Sequence, residues 1–168
     1  AIIASNHVSF LDPPFVGQAF DEPLYFFARK TLFDHPIAGK VLREWQTIPI
    51  DRDKPDTASL KATIRLLKSG KKVLMFPEGT RSPDGQLQKG EAGVGLFLAK
   101  TGAPVLPVVL YGAYARQRPQ DLLPRAGEIV LVIHPEISPG EWSEDGLHGV
   151  ADGLHGWYQA RLDEGPPA

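Results

Sequence analysis

The sequence predicts a single α/β domain with a mostly parallel mixed sheet flanked by helices. Short apolar runs alternate with stretches of helical period along the whole chain, the pattern of strands connected by crossover helices. A length of 168 residues suits one domain, which at this size buries roughly 70% of its unfolded surface. Residues able to do chemistry recur just after the apolar runs, where open parallel sheets place their ligands.

Strands are predicted near Ala1 to Ala4, Leu24 to Ala28, Thr47 to Ile50, Val73 to Phe76, Val105 to Leu110 and Glu128 to His134. After the first, Pro13 and Pro14 suit the opening turn of a helix running to about Phe20, with Asp12 as its cap. Between Thr57 and Ser69, Leu60, Ile64 and Leu67 form one apolar stripe. Asp56 or Thr57 can cap that helix and Gly70 can end it. Gly90 to Thr101 reads as another helix, opened by Lys89-Gly90 and stopped by Gly102, with Leu96, Phe97 and Ala99 to bury. From Ser143 to Glu164, Leu147, Val150, Leu154, Trp157 and Leu162 recur at near-helical spacing. This segment repeats Asp-Gly-Leu-His-Gly with a seven-residue offset. His148 and His155 would lie ~10 Å apart along such a helix, too far to share a metal ion. The domain is expected over residues 1–164, with 165–168 a frayed tail.

Composition narrows the function classes. Eighteen basic and twenty acidic residues give a formal charge of −2, so no global positive field draws nucleic acid, and any anion must be held locally. The absence of cysteine excludes a disulfide framework, a zinc–thiolate site and a catalytic thiol. No stretch approaches the ~20 apolar residues of a membrane span. The chain opens on Ala1 within a strand, which predicts a further segment upstream, and a membrane anchor could lie there.

Asn6-His7-Val8-Ser9-Phe10-Leu11-Asp12 follows the first strand. A histidine has an ordinary pKa near neutrality, and a carboxylate close by can orient its ring. On a continuous helix an offset of five residues would set the side chains about 140° apart, so a turn must bring His7 and Asp12 together. Asp before Pro-Pro also caps helices with no chemistry attached, and one His with one Asp leaves a metal site short of ligands. Ser9 lacks the Gly-x-Ser-x-Gly turn of a hydrolase nucleophile.

The second constellation is Phe76-Pro77-Glu78-Gly79-Thr80-Arg81-Ser82, at the exit of the fourth strand. Glycine lets the main chain approach a ligand, and a guanidinium grips phosphate at two points. A surface loop with a Glu78–Arg81 ion pair is the alternative. Arg29 and Lys30 follow the second strand and Arg52 the third. Lys61, Arg65 and Lys68 form a basic helix stripe that could face anionic lipid but suits a solvated face equally.

These residues resemble the glycerophospholipid acyltransferases, the family that includes lysophosphatidic acid acyltransferase. Asn6, His7 and Asp12 match its first block, Ile48 to Arg52 an intermediate one, Phe76 to Ser82 its anion block, and Ala103 to Val109 a late strand containing proline. The resemblance runs to about Tyr111. It implies a glycerol-3-phosphate acyltransferase-like fold, with His7 the general base and Asp12 orienting it. Arg52, Glu78, Gly79, Thr80 and Arg81 would hold a phosphorylated acceptor, with Lys30 and Lys89 as further candidates. It also implies no metal and no cofactor. The co-substrate would be an acyl-CoA or acyl carrier protein thioester, and the acceptor a lysophospholipid, foremost 1-acyl-glycerol 3-phosphate. The expected setting is the cytoplasmic face of a membrane, held peripherally, with acyl carrier protein a candidate partner and nucleic acid none. Two rival readings remain: a headgroup-binding protein without turnover, and a metal-dependent phosphoesterase.

Overall fold

The computed structural model describes residues 1–51, 56–141 and 146–167. Its strands are β1 (Ile2–Ser5), β2 (Tyr25–Arg29), β3 (Thr47–Ile50), β4 (Val73–Met75), β5 (Val105–Tyr111) and β6 (Val130–Ile133). They form one sheet in the order β3-β2-β4-β1-β5-β6. The first five are parallel, and β6 runs antiparallel on β5. The helices are α1 (Asp12–Gln18), α2 (Pro36–Glu44), α3 (Thr57–Lys68), α4 (Gly93–Thr101), α5 (Ala113–Arg116) and α6 (Gly146–Glu164).

Strand periodicity divides the core between the two faces of the sheet, because successive side chains on a strand point to opposite sides. Ile2, Ala4, Val73, Met75, Val105 and Val109 pack with Leu67 of α3, Val94, Phe97 and Leu98 of α4, and Val150, Leu154 and Tyr158 of α6. Ile3, Leu74, Val108 and Leu110 face the other way and pack with Val16 of α1. The most deeply buried strand is β1, all four of whose residues are buried. It lies between β4 and β5, so the loop leaving it emerges at the middle of the rim formed by the strand carboxyl ends.

The α3 helix ends as the sequence predicts. The Asp56 carboxylate accepts from the Ser59 N–H at 2.9 Å, and this bonding holds its pKa at about 2. Gly70 follows with φ 80°. Gly102 terminates α4 in the left-handed region at φ 62°.

Two boundaries differ from the sequence reading. Asp12 is the first residue of α1 and Leu11 occupies the cap, with no side-chain capping bond. The Asp12 carboxylate is turned back toward the preceding loop instead. The α4 helix begins at Gly93, so Lys89 and Gly90 sit in the loop before it. Gly90 is bare because α6 passes against it: a Cβ there would lie 3.1 Å from the Ala151 carbonyl oxygen. Among the described residues α6 runs over Gly146–Glu164; positions 143–145, where the sequence reading opens this helix, lie outside them, as do the side chains of Leu147 and His148 and the whole of Ala168. The sequence reading does not place a 3-10 turn over Lys30–Asp34 or the α2 helix.

Candidate active site

Parallel pairing of β1 with β4, in the register Ala4 to Met75, joins two motifs that are distant in sequence. Beyond the strand ends their backbones continue side by side and lock together. The His7 N–H donates to Glu78 Oε1 at 2.7 Å, and the His7 carbonyl accepts from the Ser82 N–H at 2.8 Å. Both main-chain groups of His7 are therefore held by the second motif. On the β5 side, the Asn6 side-chain amide acts as a surrogate strand residue. Its Oδ1 accepts from the Leu110 N–H at 2.8 Å and its Nδ2 donates to the Leu110 carbonyl at 3.0 Å.

The Asp12 side chain is fully buried. Its Oδ2 takes the Val8 and Ser9 N–H groups, each at 2.7 Å. The same oxygen meets His7 Nδ1 at 2.9 Å. A carboxylate in that position favours the tautomer with the proton on Nδ1, which leaves the lone pair on Nε2. The imidazole stacks on Phe76, with centroids 3.9 Å apart and planes 16° from parallel. Two constraints thus fix the ring, one in its plane and one across its face. Ser9 is occupied structurally: its hydroxyl donates to Gln117 Oε1 at 3.0 Å and accepts from the Leu11 N–H at 3.1 Å.

His7 lines an open cleft of about 720 Å³. Gly79 and Thr80 line it close to His7 in the fold, and Phe27, Leu60, Met75, Val94, Leu96 and Phe97 give it apolar walls. Gly79 adopts φ 65°, a conformation glycine reaches without the penalty paid by other residues. The Arg81 guanidinium lies over the Phe10 ring, 3.3 Å from its centroid, so the loop carrying His7 also supports the cation of the second motif. Lys30 and Lys89 are exposed and line neither the cleft nor the dyad. Arg52 lies outside the described residues. Among the described residues, no group of three or more His, Asp or Glu is arranged to hold a metal ion.

Glu78 is buried and has both oxygens committed, the second accepting from the Gln88 N–H at 2.9 Å. Burial pushes its carboxyl up to about 7, against the pull of those two N–H groups, and the nearby Asp12 charge adds to the rise. Glutamine cannot replace it neutrally, because its NH2 must face one of the two N–H donors. We expect Glu78→Gln to lower stability by about 1–3 kcal/mol, the usual result of stranding a buried donor. A carboxyl whose pKa is raised on folding stabilises most below its unfolded value, 4.5, and loses that contribution as pH rises through the folded value. Urea midpoints should therefore show the gap between wild type and Glu78→Gln narrowing from about pH 5 to about pH 8; a gap that widens contradicts this account of Glu78.

Sequence reasoning recognises His7, Asp12 and the second motif but misses four supports: Asn6, Phe10, Ser82 and Gln117. Asn6 and Ser82 stand inside the two motifs without a role assigned to either. Nothing in the sequence signals Gln117, which is brought to Ser9 by the turn after β5.

Comparison with known proteins agrees with this architecture. The acyltransferase family model matches residues 1–111, which contain the dyad and the whole second motif. The chain belongs to the acyltransferase family. A 1-acyl-sn-glycerol-3-phosphate acyltransferase of Bacillus subtilis is 33% identical over 145 residues, 84% of this chain and 69% of that one. The chloroplastic enzyme of the same name from Brassica napus is 32% identical over 140 residues, 81% of this chain. This family member spans 40% of the Brassica napus relative's length and 59% of a Limnanthes alba relative's. The crystal structure of the 1-acyl-sn-glycerophosphate acyltransferase from Thermotoga maritima superposes with a TM-score of 0.80 at 28% identity. The match covers 99% of this acyltransferase-family chain and 68% of the Thermotoga maritima chain.

Proposed function

We propose that this protein transfers a fatty acyl group from a thioester donor to the hydroxyl of a lysophospholipid, foremost 1-acyl-glycerol 3-phosphate, giving phosphatidic acid. One observation carries the reading: His7, paired with the buried Asp12, lines a largely apolar cleft, and its backbone is clamped by the second motif. His7 Nε2 takes the hydroxyl proton as the oxygen attacks the thioester carbonyl. The tetrahedral intermediate then expels the thiolate, which recovers the proton from the imidazolium; an ester and a free thiol result. Asp12 stabilises the imidazolium and fixes its orientation. No acyl-enzyme is required, which suits a chain without cysteine.

In this reading the apolar walls accept acyl chain, while Gly79, Thr80 and Arg81, with Arg52, hold the acceptor phosphate. Glu78 is a positioning residue, since both its oxygens are already bonded to main chain. Lys30 and Lys89 would contribute only at longer range. Stacking on Phe10 presents the guanidinium as a flat two-pronged donor, a geometry that lysine lacks. Arg81→Lys should therefore raise KM for the phosphorylated acceptor about tenfold, the scale of one lost charge-assisted hydrogen bond, with kcat nearly unchanged. A kcat loss at constant KM would remove Arg81 from acceptor binding.

The activity is tested by supplying a panel of lysolipids with acyl-CoA and acyl carrier protein donors, then reading products by mass and thiol by titration. Phosphatidic acid formed with one thiol per turnover supports the proposal. Inorganic phosphate release, or lipid binding with no thiol from any pair, would instead support the phosphoesterase or the headgroup-binding alternative. The same panel separates the two donor classes, and the membrane surface where such lipids reside is the proposed site of action.

A further inference from the structure

The α2 helix carries large apolar side chains on its outward side. Its inward side packs closely at Gly39, which is buried and where a Cβ would collide with the Phe33 carbonyl, and Leu42 on the same side is partly buried. Ile37, Val41 and Trp45, spaced four apart and so on one stripe, point outward with 73%, 38% and 50% of their surface exposed. Leu32, in the preceding 3-10 turn, is 46% exposed. A contiguous set of large apolar side chains facing water marks a contact surface.

Charge identifies the partner. Between positions 29 and 45 the exposed side chains Arg29, Lys30, Lys40 and Arg43 outnumber Asp34 and Glu44, whereas the chain as a whole carries a formal −2. An amphipathic helix with a bulky apolar stripe, a tryptophan and flanking basic residues suits an anionic bilayer surface, where the stripe enters the headgroup boundary and the bases meet lipid phosphates. Position agrees. The turn leaves β2 at the same rim as His7 leaves β1, since the strands are parallel. We infer that the outward face of α2, with Leu32, docks this domain on an anionic lipid leaflet and turns the rim carrying His7 toward it. The orientation toward substrate rests on the acyltransferase reading; the docking itself does not.

The test is sedimentation of the full chain with vesicles of phosphatidylglycerol and phosphatidylcholine, compared with vesicles of phosphatidylcholine alone. We expect partitioning onto the anionic vesicles that falls about tenfold or more in Ile37→Ser/Trp45→Ser, the effect of removing large buried apolar side chains. Lys40→Gln should weaken binding to anionic vesicles only, and salt should do the same. Activity on detergent-dispersed lysolipid, measured alongside, should persist in all three proteins. Wild type that stays in solution, partitioning indifferent to the double substitution, or a dimer that the substitution dissociates would overturn the inference. Vesicle binding lost in the variant while no protein shows turnover would leave the docking face standing and remove the acyltransferase reading.

Discussion

His7→Ala should lower kcat for acyl transfer by about 10²–10⁴-fold, the usual contribution of a positioned general base, with little change in KM for the acceptor. The substitution reads catalysis cleanly because the architecture of the loop does not depend on the imidazole. Glu78 and Ser82 hold His7 through its main-chain N–H and carbonyl, and alanine keeps both. Asp12 retains two backbone donors, so the loop keeps its anchor. The proper readout is thiol release under saturating donor, with the thermal midpoint measured in parallel. Normal turnover in a folded His7→Ala protein would end the proposed mechanism.

Asp12 separates charge from geometry, and its two obvious substitutions should diverge. In Asp12→Asn the amide oxygen can occupy the Oδ2 position and still accept from Val8, Ser9 and the imidazole, while the NH2 takes the place of Oδ1, which makes no hydrogen bond among the described residues. The fold should survive, at a cost of about 1–3 kcal/mol for a buried NH2 that gains no acceptor. The negative charge that stabilises the imidazolium is gone, so kcat should drop on the order of 10²-fold or more. Asp12→Ala removes the acceptor of two buried N–H groups as well, each costing about 1–3 kcal/mol when stranded. We therefore expect activity lost in both variants, with a clearly smaller loss of stability in the first than in the second. Equal destabilisation of the two would mean that Asp12 acts only as a loop anchor.

Much of this is legible in the chain. Five parallel strands can be read because β-branched and aromatic runs end at turn residues, and α3 because Asp56 and Gly70 mark its ends. The dyad is visible as a spacing, yet the sequence misplaces the Asp12 carboxylate. Asp-Pro-Pro satisfies the rule for a helix cap, but the carboxylate is drawn to the nearer unpaired donors of Val8 and Ser9 and to the imidazole. The clamp on His7 is not legible, because it depends on β1 and β4 being neighbours, a property of strand order. The α2 helix escapes for a related reason: Ile37, Val41 and Trp45 do recur at helical spacing, but the outward direction of that stripe is a property of packing that spacing does not carry. Lys89-Gly90 reads as a helix start, whereas Gly90 is taken up in a close approach to α6 and the helix begins at Gly93.

The base itself can be observed without substrate. In protein labelled with 15N-histidine, the nitrogen shifts of His7, assigned by their loss in His7→Ala, report which ring atom carries the proton. The account predicts a proton on Nδ1 and a lone pair on Nε2 above the pKa of the ring, with that preference weakened in Asp12→Asn. A neutral ring protonated on Nε2, or a tautomer unchanged by removal of the Asp12 charge, would contradict it.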